Sequence, residues 1–168
     1  AASGNSADGS GGAMFLDYGL DSPPCLVTDC DFFSNYAGTG GGAIRVYHED
    51  AILTGCRFGL EGSPSTGNTT STPSYTGGAV TAYDGSLDVS GCQFHHNLSH
   101  YGGGVFDDNC HHSMGHSVTP QSCQYTNNDA ASGGAFCGYD SANSINDTDV
   151  HAHNSTASNC LGHAINVR

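Results

Sequence analysis

Eight cysteines are the residues of this 168-residue sequence with the most versatile chemistry. Four of them share one pattern, because each stands two positions before an aromatic residue: Cys30, Cys56, Cys92 and Cys123. If the four copies stack as β-strands, neighbouring Cα atoms come within about 5 Å, which is inside the range for disulfides. We therefore predict disulfides between neighbouring copies, with a column of buried thiols as the alternative. The other disulfide candidates lie outside this column, at positions of the repeat that should be more exposed: Cys25, Cys110, Cys137 and Cys160.

Histidines and paired aspartates are the candidate metal ligands. The clustered histidines are His95, His96, His111, His112 and His116. His112 and His116 would share a face only on a helix, which the sequence does not predict, so exposed turn histidines are favoured over a copper or zinc site. The pairs Asp29/Asp31 and Asp147/Asp149 could bind calcium, although aspartate is also common in turns. We predict no cofactor, with calcium as the alternative.

Four Asn-x-Ser/Thr sequons are candidate sites for N-linked glycans: Asn68, Asn97, Asn146 and Asn154. Together with the even number of cysteines, they predict a secreted protein that is extracellular or lies on a cell surface. Asn97 and Asn154 also occupy a repeated corner position, where a side chain turned inward cannot carry a glycan. Asn68, in a polar insertion, is expected to be the most accessible sequon, followed by Asn146.

A carbohydrate-cleaving enzyme would need convergent carboxylates or an arginine base. Asp107 and Asp108 are the candidate acids, but no second acid recurs in their phase. Only Arg45 and Arg57 lie inside the repeated region. We therefore predict that the chain is not an enzyme and has no catalytic residues.

A recurring unit must position these side chains. A Gly-Gly-small-aliphatic element occurs six times, the last copy being degenerate: Gly11–Met14, Gly41–Ile44, Gly77–Val80, Gly103–Phe106, Gly133–Phe136 and Gly162–Ile165. Its third positions are separated by 30, 36, 26, 30 and 29 residues. Five residues after the first position of each Cys-x-aromatic copy, the last of which lacks its cysteine, stand Asn35, Glu61, Asn97, Asn128 and Asn154. A period near 30 is typical of a repeat architecture.

Short strands and the lack of helical periodicity favour an all-β solenoid of stacked parallel strands. We predict one domain over residues 1–168, with about five coils at 12–42, 43–78, 79–104, 105–134 and 135–164, and an inserted loop at 59–76. The aromatic column should contain Phe32, Phe58, Phe94 and Tyr125. The aliphatic column should contain Ile44, Val80, Phe136 and Ile165.

Charge excludes some classes of function. Three Arg and no Lys stand against 16 Asp and Glu, which gives a net charge of −13. We predict that the chain does not bind nucleic acid, because a row of phosphates must be neutralised by clustered cations. The sequence contains no window of 18 apolar residues, so it predicts no membrane span.

The repeat resembles that of the polymorphic outer membrane proteins of chlamydiae. That family is marked by a Phe-x-x-Asn element, as in Phe94 to Asn97, and by a Gly-Gly-Ala-aliphatic element, as in 41–44 and 77–80. The resemblance implies a right-handed parallel β-helix on a cell surface, used for adhesion or as a passenger scaffold.

Neither end of the chain shows a capping helix, so the predicted function is structural. We expect head-to-tail self-association into a filament or surface stalk. The alternative is an adhesin that recognises glycan or protein through the 59–76 loop and the histidine-rich patch. The third hypothesis is a polysaccharide lyase or hydrolase.

Overall fold

The strands of each sheet come from successive repeats of the sequence. A computed structural model describes residues 1–17, 23–71, 76–108, 118–121, 123–139, 151–153, 156–157 and 165–167. Within these ranges the secondary structure is β-strand, apart from one 3-10 turn at Pro64–Thr66. The prediction of an all-β fold with parallel strands and no significant helix is confirmed for this part of the chain. These residues contain no helix that is long and apolar enough to cross a membrane.

Two six-stranded sheets run through the structure, and both are parallel throughout. The strands of the aromatic sheet are Ala2–Ser3, Asp31–Phe33, Arg57–Phe58, Gln93–His95, Gln124–Thr126 and His151–His153. The strands of the aliphatic sheet are Met14–Asp17, Ile44–Tyr47, Val80–Tyr83, Val105–Asp108, Phe136–Tyr139 and Ile165–Val167. In each sheet, spatial order follows chain order, so each strand pairs with the equivalent strands one repeat away.

A third sheet has four parallel strands: Cys25–Thr28, Ala51–Thr54, Leu87–Ser90 and Val118–Gln121. Its sequence alternates as a half-buried strand should, because Leu87 and Val89 are buried whereas Asp88 is exposed. Shorter parallel ladders join Ser6–Ala7, Tyr36–Ala37 and Thr69–Thr70, and separately Asp129–Ala130 and Thr156–Ala157. Leu98 bridges the two ladders.

One hydrophobic core is lined by all three main sheets. Its buried residues include Phe58 of the aromatic sheet, Val80 of the aliphatic sheet and Leu53 of the third sheet. In the aromatic column, consecutive rings stack with centroids 5.0, 4.7 and 4.7 Å apart and planes within 8° of parallel. This column contains the four predicted residues, Phe32, Phe58, Phe94 and Tyr125.

The predicted alignment of the fourth Gly-Gly copy is wrong by one residue. Val105 pairs with Val80, and the Gly104 carbonyl accepts a hydrogen bond from the N–H of Ala79, so the copy begins at Gly102. Val105 therefore belongs to the aliphatic column, and Gly104 stands where alanines stand in other repeats. A Cβ on Gly104 would lie 2.9 Å from a ring carbon of Tyr125, so glycine makes room for the ring.

Candidate functional site

A continuous ladder of asparagine side chains crosses five repeats: Asn5, Asn35, Asn68, Asn97 and Asn128. Each Oδ1 from Asn35 onward accepts hydrogen bonds from the backbone N–H and the Nδ2 of the asparagine one repeat earlier. For Asn97 these two distances are 2.9 and 3.0 Å, from Asn68. The Nδ2 of Asn97 also donates to the backbone carbonyl of Phe58, at 2.9 Å. The buried amides are thus bonded to both the adjacent side chains and the main chain.

The ladder corrects the predicted position of the second corner residue. Asn68, and not Glu61, stands in the column, because ten positions separate Phe58 from Asn68 whereas three separate Phe94 from Asn97. Asn68 and Asn97 are both 0% exposed. The expectation that Asn68 is the most accessible sequon is therefore wrong, and neither amide has room for a glycan in the folded chain. Asn146 and Asn154 lie outside the described residues.

The predicted cysteine column forms a second ladder at the next corner. The Cys92 Sγ accepts a hydrogen bond from the backbone N–H of Cys56 at 3.3 Å, and the Cys92 thiol donates to the carbonyl of Leu53 at 3.5 Å. Cys56 and Cys123 donate in the same way to Val27 and Val89, at 3.4 Å each. Cys30, Cys56 and Cys92 are thiols in this structure. The disulfides between repeats stay a prediction.

Hydrogen bonding along this column changes the acidity of the thiols. The bond with Cys92 lowers the pKa of Cys56 to about 7, against the opposing effect of burial. The pKa of Cys92 is raised, because it bonds with both Cys123 and Cys56 and is itself buried. Of the off-column cysteines, Cys25 is half-buried but Cys137 is 0% exposed, so the expectation of an exposed phase is wrong for Cys137. Cys110 and Cys160 fall outside the described part of the chain.

The insertion covers two of the candidate metal ligands. Gly59 and Gly67 pack so closely on the carbonyl oxygens of His95 and His96 that a Cβ on either glycine would collide with them. His95 is 3% exposed, and desolvation lowers its pKa, partly offset by Glu61.

The other end of the insertion is tied to the preceding repeat. Ser34 donates its backbone N–H to the carbonyl of Thr66 at 2.9 Å and its hydroxyl to the carbonyl of Ser65 at 2.8 Å. The described portion of the predicted 59–76 loop, residues 59–71 and 76, is thus anchored at both ends of Gly59–Gly67, whereas Glu61, Gly62, Pro64 and Ser65 between them are exposed.

The remaining charged candidates do not converge. No group of three or more potential ligands among the described residues could hold a metal ion. Of the calcium candidates, Asp31 binds Arg57 through two contacts of 2.7 Å, and this hydrogen bonding lowers the pKa of Asp31. Asp107 is 0% exposed, in register with the core residue Ala82. The positions His111, His112, His116, Asp147 and Asp149 lie outside the described residues.

The first repeat of the given sequence supplies one end strand to each of the three main sheets. Its strands Ala2–Ser3, Met14–Asp17 and Cys25–Thr28 are each the end strand of a sheet. Met14 and Leu16 are only partly buried, although their register partners Ile44 and Val46 are 0% exposed.

Comparison of the chain with protein-family models, curated proteins and solved structures finds no match. The resemblance to the polymorphic outer membrane proteins therefore stays a prediction based on the two short motifs.

Proposed function

We propose that the chain is a non-catalytic structural segment of an extracellular β-solenoid rod. In this proposal the sheets are the faces of one right-handed parallel β-helix. A core shared by three sheets, and strands that pair one repeat apart, support a single helical path. Right-handed crossovers are the rule for parallel strands. The cysteines and the resemblance to surface proteins support the extracellular location.

The observation that carries the structural role is the pairing of equivalent strands one repeat apart in each main sheet, so that a further repeat can extend all three sheets. A terminal strand leaves main-chain donors and acceptors available on one side, and such an edge invites pairing with another strand. Here the edge is accompanied by the partly buried apolar side chains of Met14 and Leu16. A further repeat stacked on this end would bury both and extend the sheets.

The partner that we propose is a second copy of this chain, stacked head to tail. Such a contact joins two different surfaces and does not close on itself, so it produces a filament. The asparagine ladder favours one polarity, since each Oδ1 accepts from the repeat before it. Asn5 is the first member of the ladder and would offer its Oδ1 to the incoming repeat.

Sedimentation velocity at increasing protein concentration tests this proposal. The wild-type chain should form growing oligomers, whereas Leu16→Lys should remain monomeric because it places a charge on the stacking surface. Phe15→Lys is the matched control, since Phe15 lies on the same strand but is 50% exposed on the outer face. This control should assemble like the wild type. A wild-type chain that stays monomeric, or equal loss of assembly in both variants, would contradict stacking between copies.

A further inference from the structure

Arg45 is a half-buried cation with no carboxylate partner among the described residues. Its Nη1 donates to the hydroxyl of Ser10, its Nε is buried without an acceptor, and its Nη2 makes no hydrogen bond within the described structure. Burial lowers the pKa of Arg45, with opposing effects from Tyr47, Tyr83 and Asp17. Such burial is costly for a charge that is not paired, in a chain with 16 acidic residues available to pair it.

Arg57 shows the ordinary arrangement in the same molecule. Both Nε and Nη2 of Arg57 bind the Asp31 carboxylate at 2.7 Å. The donor capacity of that guanidinium is used within the protein. The corresponding Nε of Arg45 is buried and has no such acceptor, and Ser10 is bound by Nη1 instead.

The surroundings of Arg45 hold the guanidinium in one place. Its Cζ lies 5.2 Å from the ring centroid of Tyr47 and 5.8 Å from that of Tyr83, both within the range of cation–π attraction. Gly40 lies against the guanidinium, since a Cβ there would be in van der Waals contact with Nη1 at 3.5 Å. The cation is therefore positioned before any ligand arrives.

Hydroxyl groups and an exposed ring border the guanidinium. Ser10 bonds to Thr39 at 2.6 Å, and Thr76 contacts Thr81 at 3.3 Å. Phe15, which is 50% exposed, stacks on Tyr47 with centroids 6.3 Å apart. Cation, hydroxyls and apolar ring surface lie side by side on the outer face of the aliphatic sheet.

We propose that this patch binds a sugar that carries a single anionic oxygen group. The Nη groups of Arg45 would bind the carboxylate or sulfate, and the hydroxyls of Ser10, Thr39 and Thr76 would meet sugar hydroxyls. The aromatic edge would border the apolar face of the ring. The net charge of −13 repels polyanions and so favours a glycan with one isolated acid over an acidic polymer or peptide. This site shares only Thr76 with the 59–76 loop and does not depend on the stacking proposal.

Nuclear magnetic resonance tests the site directly, because three arginines give only three side-chain Nε–Hε signals. Arg45→Lys assigns one signal by its loss. Titration with glucuronic acid and with glucose 6-sulfate should move the Arg45 signal to saturation, and the two arms separate carboxylate from sulfate recognition. Neutral glucose should not move it, and the Arg57 signal should stay fixed. Binding should weaken as salt is added.

Variants and competing ligands complete the test. Arg45→Gln should weaken binding of the preferred acidic sugar at least about tenfold, the loss expected for one charge-assisted hydrogen bond. The control Arg57→Gln should not change the affinity. The proposal is overturned if Arg45→Gln binds as well as wild type, or if neither charged sugar moves the Arg45 signal. It is also overturned if sodium acetate or a capped aspartate peptide binds as tightly as the acidic sugars.

Discussion

An asparagine side chain can accept and donate hydrogen bonds at the same time, and the ladder uses both properties. Asn68 illustrates this, because its Oδ1 accepts from Asn35 while its Nδ2 donates to Asn97 and to the carbonyl of Phe32. Aspartate would lose the donor, and serine or threonine would be too short to reach both partners. The residue type is therefore explained by the hydrogen-bond geometry of the corner.

Asn97→Ala should remove the centre of this ladder. The backbone N–H and Nδ2 of Asn68 would lose their acceptor, and the Phe58 carbonyl would lose a donor. At about 1–3 kcal/mol for each buried group left without a partner, the free energy of unfolding should fall by at least about 3 kcal/mol. Urea denaturation measures this loss. Asn5→Ala, at the exposed end of the ladder, is the control and should cost less than about 1 kcal/mol, so equal losses would contradict the account.

Sequon occupancy provides a second prediction at this scale. Asn68 and Asn97 are fully buried and hydrogen-bonded, so a glycan on either would prevent the ladder from forming. Folded protein secreted from a eukaryotic host should carry no glycan at these two positions, as site-resolved mass spectrometry can determine. A folded fraction that is substantially occupied at Asn68 would show that the amide is accessible.

At the scale of elements, the insertion at Gly59–Gly67 has a structural effect on the aromatic sheet. Its glycines pack on the backbone carbonyl oxygens of His95 and His96, and His95 is only 3% exposed. Desolvation favours the neutral imidazole, so the folded protein has a lower pKa for His95 than the ordinary value of 6.5. The free energy of unfolding should therefore depend on pH through the protonation of His95.

The sign of this coupling follows from proton binding. Below pH of about 6.5 the unfolded chain binds a proton at His95 that the folded chain does not, so stability falls as pH falls through the lowered pKa. Urea unfolding at pH 7.5 and 5.5 should show a smaller loss for His95→Gln than for the wild type. His100→Gln, at a half-buried histidine, is the matched control for loss of an imidazole. An unchanged dependence in His95→Gln would refute the assignment.

Elements also show where sequence patterns were sufficient and where they were not. The aromatic column was predictable because Phe32, Phe58, Phe94 and Tyr125 keep one spacing from a cysteine. The ladder was misassigned in the second repeat because a spacing rule cannot decide on which side of the asparagine extra residues are inserted.

The fourth repeat posed a different ambiguity. Three consecutive glycines allow two alignments that differ by one residue. The packing of Gly104 against Tyr125 distinguishes them, and this contact depends on three-dimensional structure rather than on local composition. The sequence likewise could not show that Arg45 lacks a carboxylate partner among the described residues, because the repeat pattern does not distinguish Arg45 from Arg57, which binds Asp31.

At the scale of the whole molecule, two forces act on the proposed rod. Burial of the partly buried Met14 and Leu16 would favour stacking, whereas a net charge of −13 on each copy opposes it. Added salt screens the repulsion between copies and should therefore promote assembly.

Electron cryomicroscopy of the protein at moderate salt tests the central claim most directly. The account predicts rods several copies long, with an axial spacing of about 4.8 Å that continues without a break across each junction, because successive repeats contribute successive strands to the two six-stranded sheets. Compact single-chain particles, or rods in which the strands do not run perpendicular to the long axis, would contradict it.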